Sequence, residues 1–412
     1  MRRIFFLWIF IVVITRATAQ EKSLDVFVQS ALQSSPLLKD YSNQRLLNMI
    51  DSLRLLAGYG PQVNGSASNS YSPSYNGFGY DYAITNGANF SDLVTVSKKL
   101  VSRENLGNQQ EAFRLLNLSL EITGKITEQD LKKTVTAQYI TAYGSWRQYL
   151  FNNDLLQLLG KEEDLLKKLT GGGIYRQTDY LTFLVTMQQQ ELTTTQAHNQ
   201  FQNDFAVLSY LSGMQDTSAA GLADPALQVT LPTDPENTVF YRQYGVDSLK
   251  LKNQDAAIDF TYKPKVSLYA DGGYVSSLAE QPYKNFGISG GVNITVPIYD
   301  GKQRKMQHDR IAVQEDIRRN YRDFFKTQYA QQIAQLSQQL RLTQNLISQT
   351  DKQIRYTQAL LDADRKLLET GDMKMADYIL AIGNFLSARN LINQNTVSRL
   401  QIINQINYWN RN

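Results

Sequence analysis

The stretch Gly371-Asp372-Met373-Lys374-Met375-Ala376-Asp377-Tyr378 decides how this sequence is read. Gly173-Ile174-Tyr175-Arg176-Gln177-Thr178-Asp179-Tyr180 precedes it by 198 residues and keeps the same Gly-x5-Asp-Tyr frame. Thr170-Gly171-Gly172-Gly173 ends one long helical pattern, and Thr370-Gly371-Asp372 ends another. Glycine just past a helix end reaches positive φ without a Cβ clash. A second helical pattern follows each break at once, so each break predicts the tip of an αα-hairpin.

Outward from the tips, a second landmark repeats. Pro61-x-Val63 and Pro264-x-Val266 each open a strand-like stretch and lie 203 residues apart. Two landmarks in the same order with a period near 200 indicate a duplicated domain, too long for a solenoid repeat. The expected organisation is a first repeat over 20–213, a connector over 214–235 rich in Ala, Gly, Asp, Thr and Pro, and a second repeat over 236–412. Each repeat reads helix, strand pair, long helix, turn, long helix.

The long helices are expected from Arg103 to Leu169 and from Lys302 to Leu368, neither interrupted by proline. The globular mean is about 11–12 residues, whereas at about 1.5 Å per residue such a rod approaches 100 Å. Along the second, Ile333, Leu336, Leu340, Thr343, Ile347, Thr350, Ile354, Thr357, Leu361, Asp364 and Leu368 form a seam spaced alternately by three and four. A partial second seam runs through Leu342, Leu346, Tyr356, Leu360 and Leu367. Seams on two sides require neighbours on two sides, as in the wall of a helical cylinder.

The strands rest on alternation. Phe286, Ile288, Val292, Ile294 and Val296 share one face, and Gly287, Ser289, Asn293 and Thr295 the other, until Pro297 stops the pattern. Val266, Leu268 and Ala270 oppose Ser267, Tyr269 and Asp271 in the same way. In the first repeat, Val63 to Tyr71 and Asn89 to Val96 are expected strands flanking an aromatic stretch with Tyr71, Tyr75, Phe78, Tyr80 and Tyr82. Alternation suits a lipid-embedded barrel and a half-buried soluble sheet equally; tyrosines suit an interfacial girdle or a self-packed loop. Four strands cannot close in lipid without leaving edges, so a barrel would require several copies.

The first residues read as an address label. Arg2 and Arg3 precede a 12-residue apolar core, Ile4 to Thr15, and Ala17-Thr18-Ala19 offers a cleavage site, predicting a signal peptide over 1–19. No other apolar run approaches the roughly 20 residues of a transmembrane helix. The formal charge of +4 falls to +1 without Arg2, Arg3 and Arg16, and no basic stripe suggests nucleic acid. The chain has no cysteine, which removes disulfides, thiolate metal sites and cysteine nucleophiles together. His198 and His308 lie far apart on polar helical stretches and are expected to be solvated rather than metal-bound. Gly287 to Gly291 is not followed by a helix at dinucleotide-site spacing, so no cofactor is expected.

Taken along nearly the whole mature chain, these residues resemble the TolC family of outer-membrane efflux and secretion proteins. Ser23-Leu24-Asp25 through Ala31-Leu32-Gln33-Ser34-Ser35-Pro36 is similar to the family's opening helix, and Pro264-Lys265-Val266 to the entry of its third strand. Val296-Pro297-Ile298-Tyr299-Asp300-Gly301 resembles the motif ending the fourth strand, with Lys302 where the family usually has a second glycine. Val96-Ser97-Lys98-Lys99 lacks the corresponding proline, which leaves that boundary open.

The resemblance implies a mainly α chain with membrane β-strands. Three protomers would share a 12-stranded β-barrel in outer-membrane lipid, continuing into a periplasmic α-helical barrel. The homotrimer would be a passive, non-enzymatic exit duct served by a periplasmic adaptor protein and an inner-membrane transporter. It places Asp377 in an acidic ring at the periplasmic aperture, with Leu380 where a second Asp is common, and Asp179 at the matching place in the first repeat, where polar contacts between hairpins help hold the entrance shut. Gly173, Thr370 and Gly371 would meet the adaptor. Both aspartates also suit a plain role at a helix N-terminus, and Gly171 to Gly173 make the first tip's docking geometry harder to infer. A periplasmic coiled-coil scaffold without a pore is the alternative; it explains the rods but not the strands.

Overall fold

The computed structural model describes residues 21–79, 88–216, 218–277 and 281–410. The expected signal peptide at 1–19, and Tyr80 and Tyr82 of the aromatic stretch, lie outside them. Among the described residues, seven α-helices and four strands run in the order α1 (Leu24–Ser34), α2 (Pro36–Gly58), β1 (Gln62–Tyr71), β2 (Ala88–Leu100), α3 (Arg103–Gly171), α4 (Gln177–Leu211), α5 (Val239–Thr261), β3 (Lys265–Ser276), β4 (Phe286–Thr295), α6 (Gln303–Thr370) and α7 (Met375–Trp409). From α2 onward, helix, two strands and two long helices occur twice.

By its contacts the chain forms two units, each drawing segments from both repeats. The first comprises the described residues up to Pro36, Thr127–Thr233 and those from Tyr329. Here Phe27 and Ala31 of α1 pack on Val135, Tyr139, Phe205 and Leu208. The Tyr139 hydroxyl lies 2.8 Å and 2.7 Å from the carbonyl oxygens of Lys22 and Ala223, so its single proton serves one or the other and ties both segments to a buried ring. Amides of α7 fix its register on α3: Asn393 donates to Gly144 O at 3.1 Å, Gln401 to Ala137 O at 2.8 Å and Asn404 to Lys133 O at 2.9 Å. The connector is pinned likewise, with Thr230 N donating to Asn407 Oδ1 and Asn407 and Asn410 donating to Gln228 O and Thr230 O.

On α6, Leu336, Leu340, Leu361 and Leu368 of the expected seam are buried, whereas Leu342, Leu346, Tyr356, Leu360 and Leu367 of the second seam are exposed in the single chain. The first seam therefore packs within the chain, and the second leaves a largely exposed apolar row.

The second unit comprises Leu37–Ile126 and Asp234–Gln328. Its strands form one antiparallel sheet in sequence order, with β2 of the first repeat paired to β3 of the second. The registers Val63↔Val96, Val96↔Ala270 and Ala270↔Gly290 run without a bulge, so the alternation survives across all four strands. One face carries Val63, Val94, Val96, Leu268, Ile288, Val292 and Ile294; the other carries Asn64, Ser66, Thr95, Ser267, Ser289 and Asn293. The apolar face lies open, with Ile288 92% exposed.

Four local features differ from expectation or sharpen it. Strand β2 continues past Val96 to Leu100, because Ser97, unlike a proline, keeps its own N–H and lets the pairing run on through Lys98↔Leu268 to Leu100↔Val266. Tyr75 and Phe78 exchange backbone bonds across Asn76-Gly77, both at positive φ, an Asn-Gly hairpin turn inside the aromatic stretch. Lys302 stands at φ 68°, a left-handed position that explains why a glycine suits that place. His308 is also no freely solvated helix residue. Its Nδ1 lies 2.6 Å from Asp255 and its Nε2 3.2 Å from Asp259, and these carboxylates hold its pKa above the ordinary value.

Candidate functional site

The two hairpin tips close by the same backbone device. At the first, Ile174 N donates to Leu169 O and Gly173 N to Thr170 O, with Gly173 at φ 77°. At the second, Asp372 N donates to Leu367 O and Gly371 N to Leu368 O, with Gly371 at φ 80°. This is the Schellman pattern, in which a left-handed C′ residue lets the following amides satisfy orphan helix carbonyls. Gly171 is still helical and Gly172 N still bonds to Lys168 O, so only Gly173 of the three glycines carries the positive φ. The extra glycines leave the turn's closing geometry the same as in the second tip. Thr370 ends α6, its hydroxyl donating to Leu367 O at 3.1 Å.

The tips touch one another. A Cβ on Gly371 would run into Ile174 Cγ2, whereas one on Gly173 would meet open space. The buried Tyr175 hydroxyl reaches Leu368 O at 3.3 Å, so the first tip caps the end of α6. Beneath them Leu166, Phe183, Leu368, Met375, Tyr378 and Phe385 form a shared core.

The two aspartates sit at equivalent third positions of α4 and α7 but are used differently. The Asp179 carboxylate accepts from Arg176 N at 3.2 Å, capping α4. Asp377 is exposed, and among the described residues no hydrogen bond or ion pair holds its carboxylate. It lines a cavity of about 450 Å³ with Leu380, Asn384, Leu360 and Asp364. Leu380, one turn further along α7, is 64% exposed. Asp364 is buried across the cavity, and burial, then the Asp377 charge, raises its pKa above the usual carboxylate range. The fold thus brings Asp377 and Leu380 together and joins Gly371 to the first tip, while Asp179 does not line the Asp377 cavity.

The repeated tyrosines diverge as well. Tyr180 donates to Glu163 at 3.1 Å within its own hairpin. Tyr378 instead crosses to the other hairpin and donates to Glu162, a carboxylate only 1% exposed and 3.5 Å from Arg365 Nε. Burial raises the Glu162 pKa, opposed by the Tyr378 hydrogen bond and the Arg365 charge. Sequence reasoning missed Glu162, which sits in the run Lys161-Glu162-Glu163-Asp164 and reads there as part of a solvated charged face.

No family model matches the sequence, and no curated protein matches it. Solved structures do. The chain is similar to CusC, described with its folding and transmembrane channel formation, at 15% identity over 95% of this chain and 93% of that one, with a TM-score of 0.77. It is similar to the outer membrane protein VceC of Vibrio cholerae at 14% identity, covering 94% and 96% of the two chains with a TM-score of 0.73. The Campylobacter jejuni CmeC outer membrane channel gives 13% identity, 94% and 85% coverage and a TM-score of 0.72. At such identities the likeness is one of fold, and it extends over both units.

Proposed function

We propose that this chain, which has the fold of the TolC-type outer-membrane channels, is one protomer of a homotrimeric exit duct. In this reading residues 1–19 direct export and are removed. The strands of three copies close a 12-stranded barrel in outer-membrane lipid, and the helices line a periplasmic conduit. A periplasmic adaptor protein docks at Gly173, Thr370 and Gly371, and an inner-membrane transporter selects and drives the cargo of a tripartite efflux or type I secretion system. The duct itself performs no bond chemistry.

The observation that carries this reading is the four-stranded sheet, whose predominantly apolar face is exposed and whose outer strands β1 and β4 are each paired on one side only among the described residues. A protomer alone would leave β1 and β4 as open edges, which lipid does not tolerate. A coiled-coil scaffold has no use for such a face. The exposed row from Leu342 to Leu367 on α6 supports neighbouring copies in the helical part as well.

Within the duct, the free Asp377 carboxylates of three copies would repel one another and attract cations at the aperture, with Leu380 adding an apolar ring. Asp179 would hold the first hairpin's entry turn in shape. Single-channel recording on purified trimers tests the reading. Conductance that rises in the closed state on Asp377→Asn is expected; trimers that insert yet never conduct, even with Asp377 neutralised, would refute a duct.

A further inference from the structure

Where the strands meet α3 and α6, the polar face of the sheet carries a cluster that the conduit reading does not use. Lys99 of β2 stands opposite Ser267 of β3, which stands opposite Asn293 of β4; Lys265 stands opposite Thr295. Side chains paired across antiparallel strands share a face, so all five lie on the polar side. A cavity of about 460 Å³ is lined by these five residues and by Lys263.

Several charged groups near the sheet have partners. Lys263 lies 3.3 Å from Glu104, Arg304 2.7 Å from Asp259, and Asp271 accepts from Ser289 at 2.8 Å. Among the described residues no carboxylate pairs with Lys99 or Lys265. They occupy diagonal positions on neighbouring strands, where backbones are about 7–8 Å apart. Two flexible lysine side chains so placed can bring both ammonium groups to one anion held between them. The acidic group on the same face, Asp271, is six residues along β3 from Lys265, about 20 Å away. Hydroxyl and amide groups of Ser267, Asn293 and Thr295 complete a set of donors suited to oxyanions.

We infer that Lys99 and Lys265, with Ser267, Asn293 and Thr295, form an anion-binding site inside the duct, taking phosphate- or carboxylate-bearing solutes. The inference rests on the duct reading, which turns the polar face toward the lumen. Three copies would place six ammonium groups around the passage, just where barrel gives way to helices. Phospholipid phosphate shares this chemistry but would be met on the apolar face, where Lys98 stands opposite Leu268.

Trimers reconstituted in planar bilayers, with inorganic phosphate added as the probe, test the site. Phosphate should reduce wild-type current, and K99Q/K265Q should raise the half-blocking concentration by roughly tenfold or more, as expected for loss of charge-assisted bonds. The same variant should lower the anion-to-cation permeability ratio read from the reversal potential in a salt gradient. K98Q should behave as wild type. Equal phosphate sensitivity in wild type and K99Q/K265Q, or equal loss in K98Q, would overturn the site while leaving the duct intact. Sensitivity that vanishes when phosphatidylglycerol is replaced by neutral phosphatidylcholine would assign the lysines to lipid headgroups and overturn it too. Absence of conductance in every form would remove the duct itself.

Discussion

Glu162 is the residue at which burial and charge are in conflict. Its carboxyl is buried, meets the Tyr378 hydroxyl and faces the half-exposed Arg365 at the edge of hydrogen-bonding range. Burial raises its folded pKa, so as pH rises the unfolded chain loses this proton first. Between the unfolded and folded pKa the native state holds more protons, and stability falls with rising pH across that window. Acidification through the same window restores it. Glu162→Gln keeps an acceptor for Tyr378 and carries no charge, so it should flatten this slope in thermal unfolding without loss at neutral pH. Tyr378→Phe should cost about 1–3 kcal/mol, because it strands a buried acceptor. An unchanged slope in the Gln variant would clear Glu162 of any part in it. None of this was legible in the sequence: Glu162 and Tyr378 are 216 residues apart, and a run of charges reads as solvated until a partner is seen.

Among the elements, the hairpins were legible and their mutual contact was not. Turn chemistry is local, so Gly173 and Gly371 announce the ends of α3 and α6, and the buried seam on α6 follows from spacing alone. Strand β4 was bounded by Pro297, whereas β2 ran on to Leu100 because its limit is set by pairing to β3. The packing of Ile174 on Gly371 depends on two tips meeting, which no periodicity encodes. That contact separates two otherwise equivalent glycines. An L-residue at either position takes on left-handed strain of about 1–2 kcal/mol. Gly371→Ala also drives a methyl into Ile174, so it should lower the melting temperature more than Gly173→Ala. Ile174→Ala should recover the difference in the Gly371→Ala background. Equal costs at the two glycines, with no recovery, would mean the tips do not pack this way in the assembled protein.

At the scale of the whole molecule, the exposed apolar residues of the sheet are the surface that the proposed duct would turn to lipid. Alternation alone left a soluble half-buried sheet equally open, because period two says which residues share a face and not what covers it. The structure leaves Ile288, Val292 and Ile294 uncovered on one face while Ser289 engages Asp271 on the other. A half-buried soluble sheet would have a helix or second sheet over the apolar side. Ile288 and Ser289 are adjacent in β4 and point to opposite faces, so they form a matched pair for testing the environment of each. Arginine on the lipid face of a barrel strand costs from about 1 kcal/mol or less near an interface to roughly 2–4 kcal/mol at the bilayer middle, whereas lumen positions tolerate charge. In the proposed duct, Ile288→Arg should therefore reduce the trimer recovered from outer membranes. Ser289→Arg, facing Asp271, should assemble normally and change only conductance. The reverse ranking would put lipid on the polar face and dismantle both the barrel and the lumenal placement of Lys99 and Lys265.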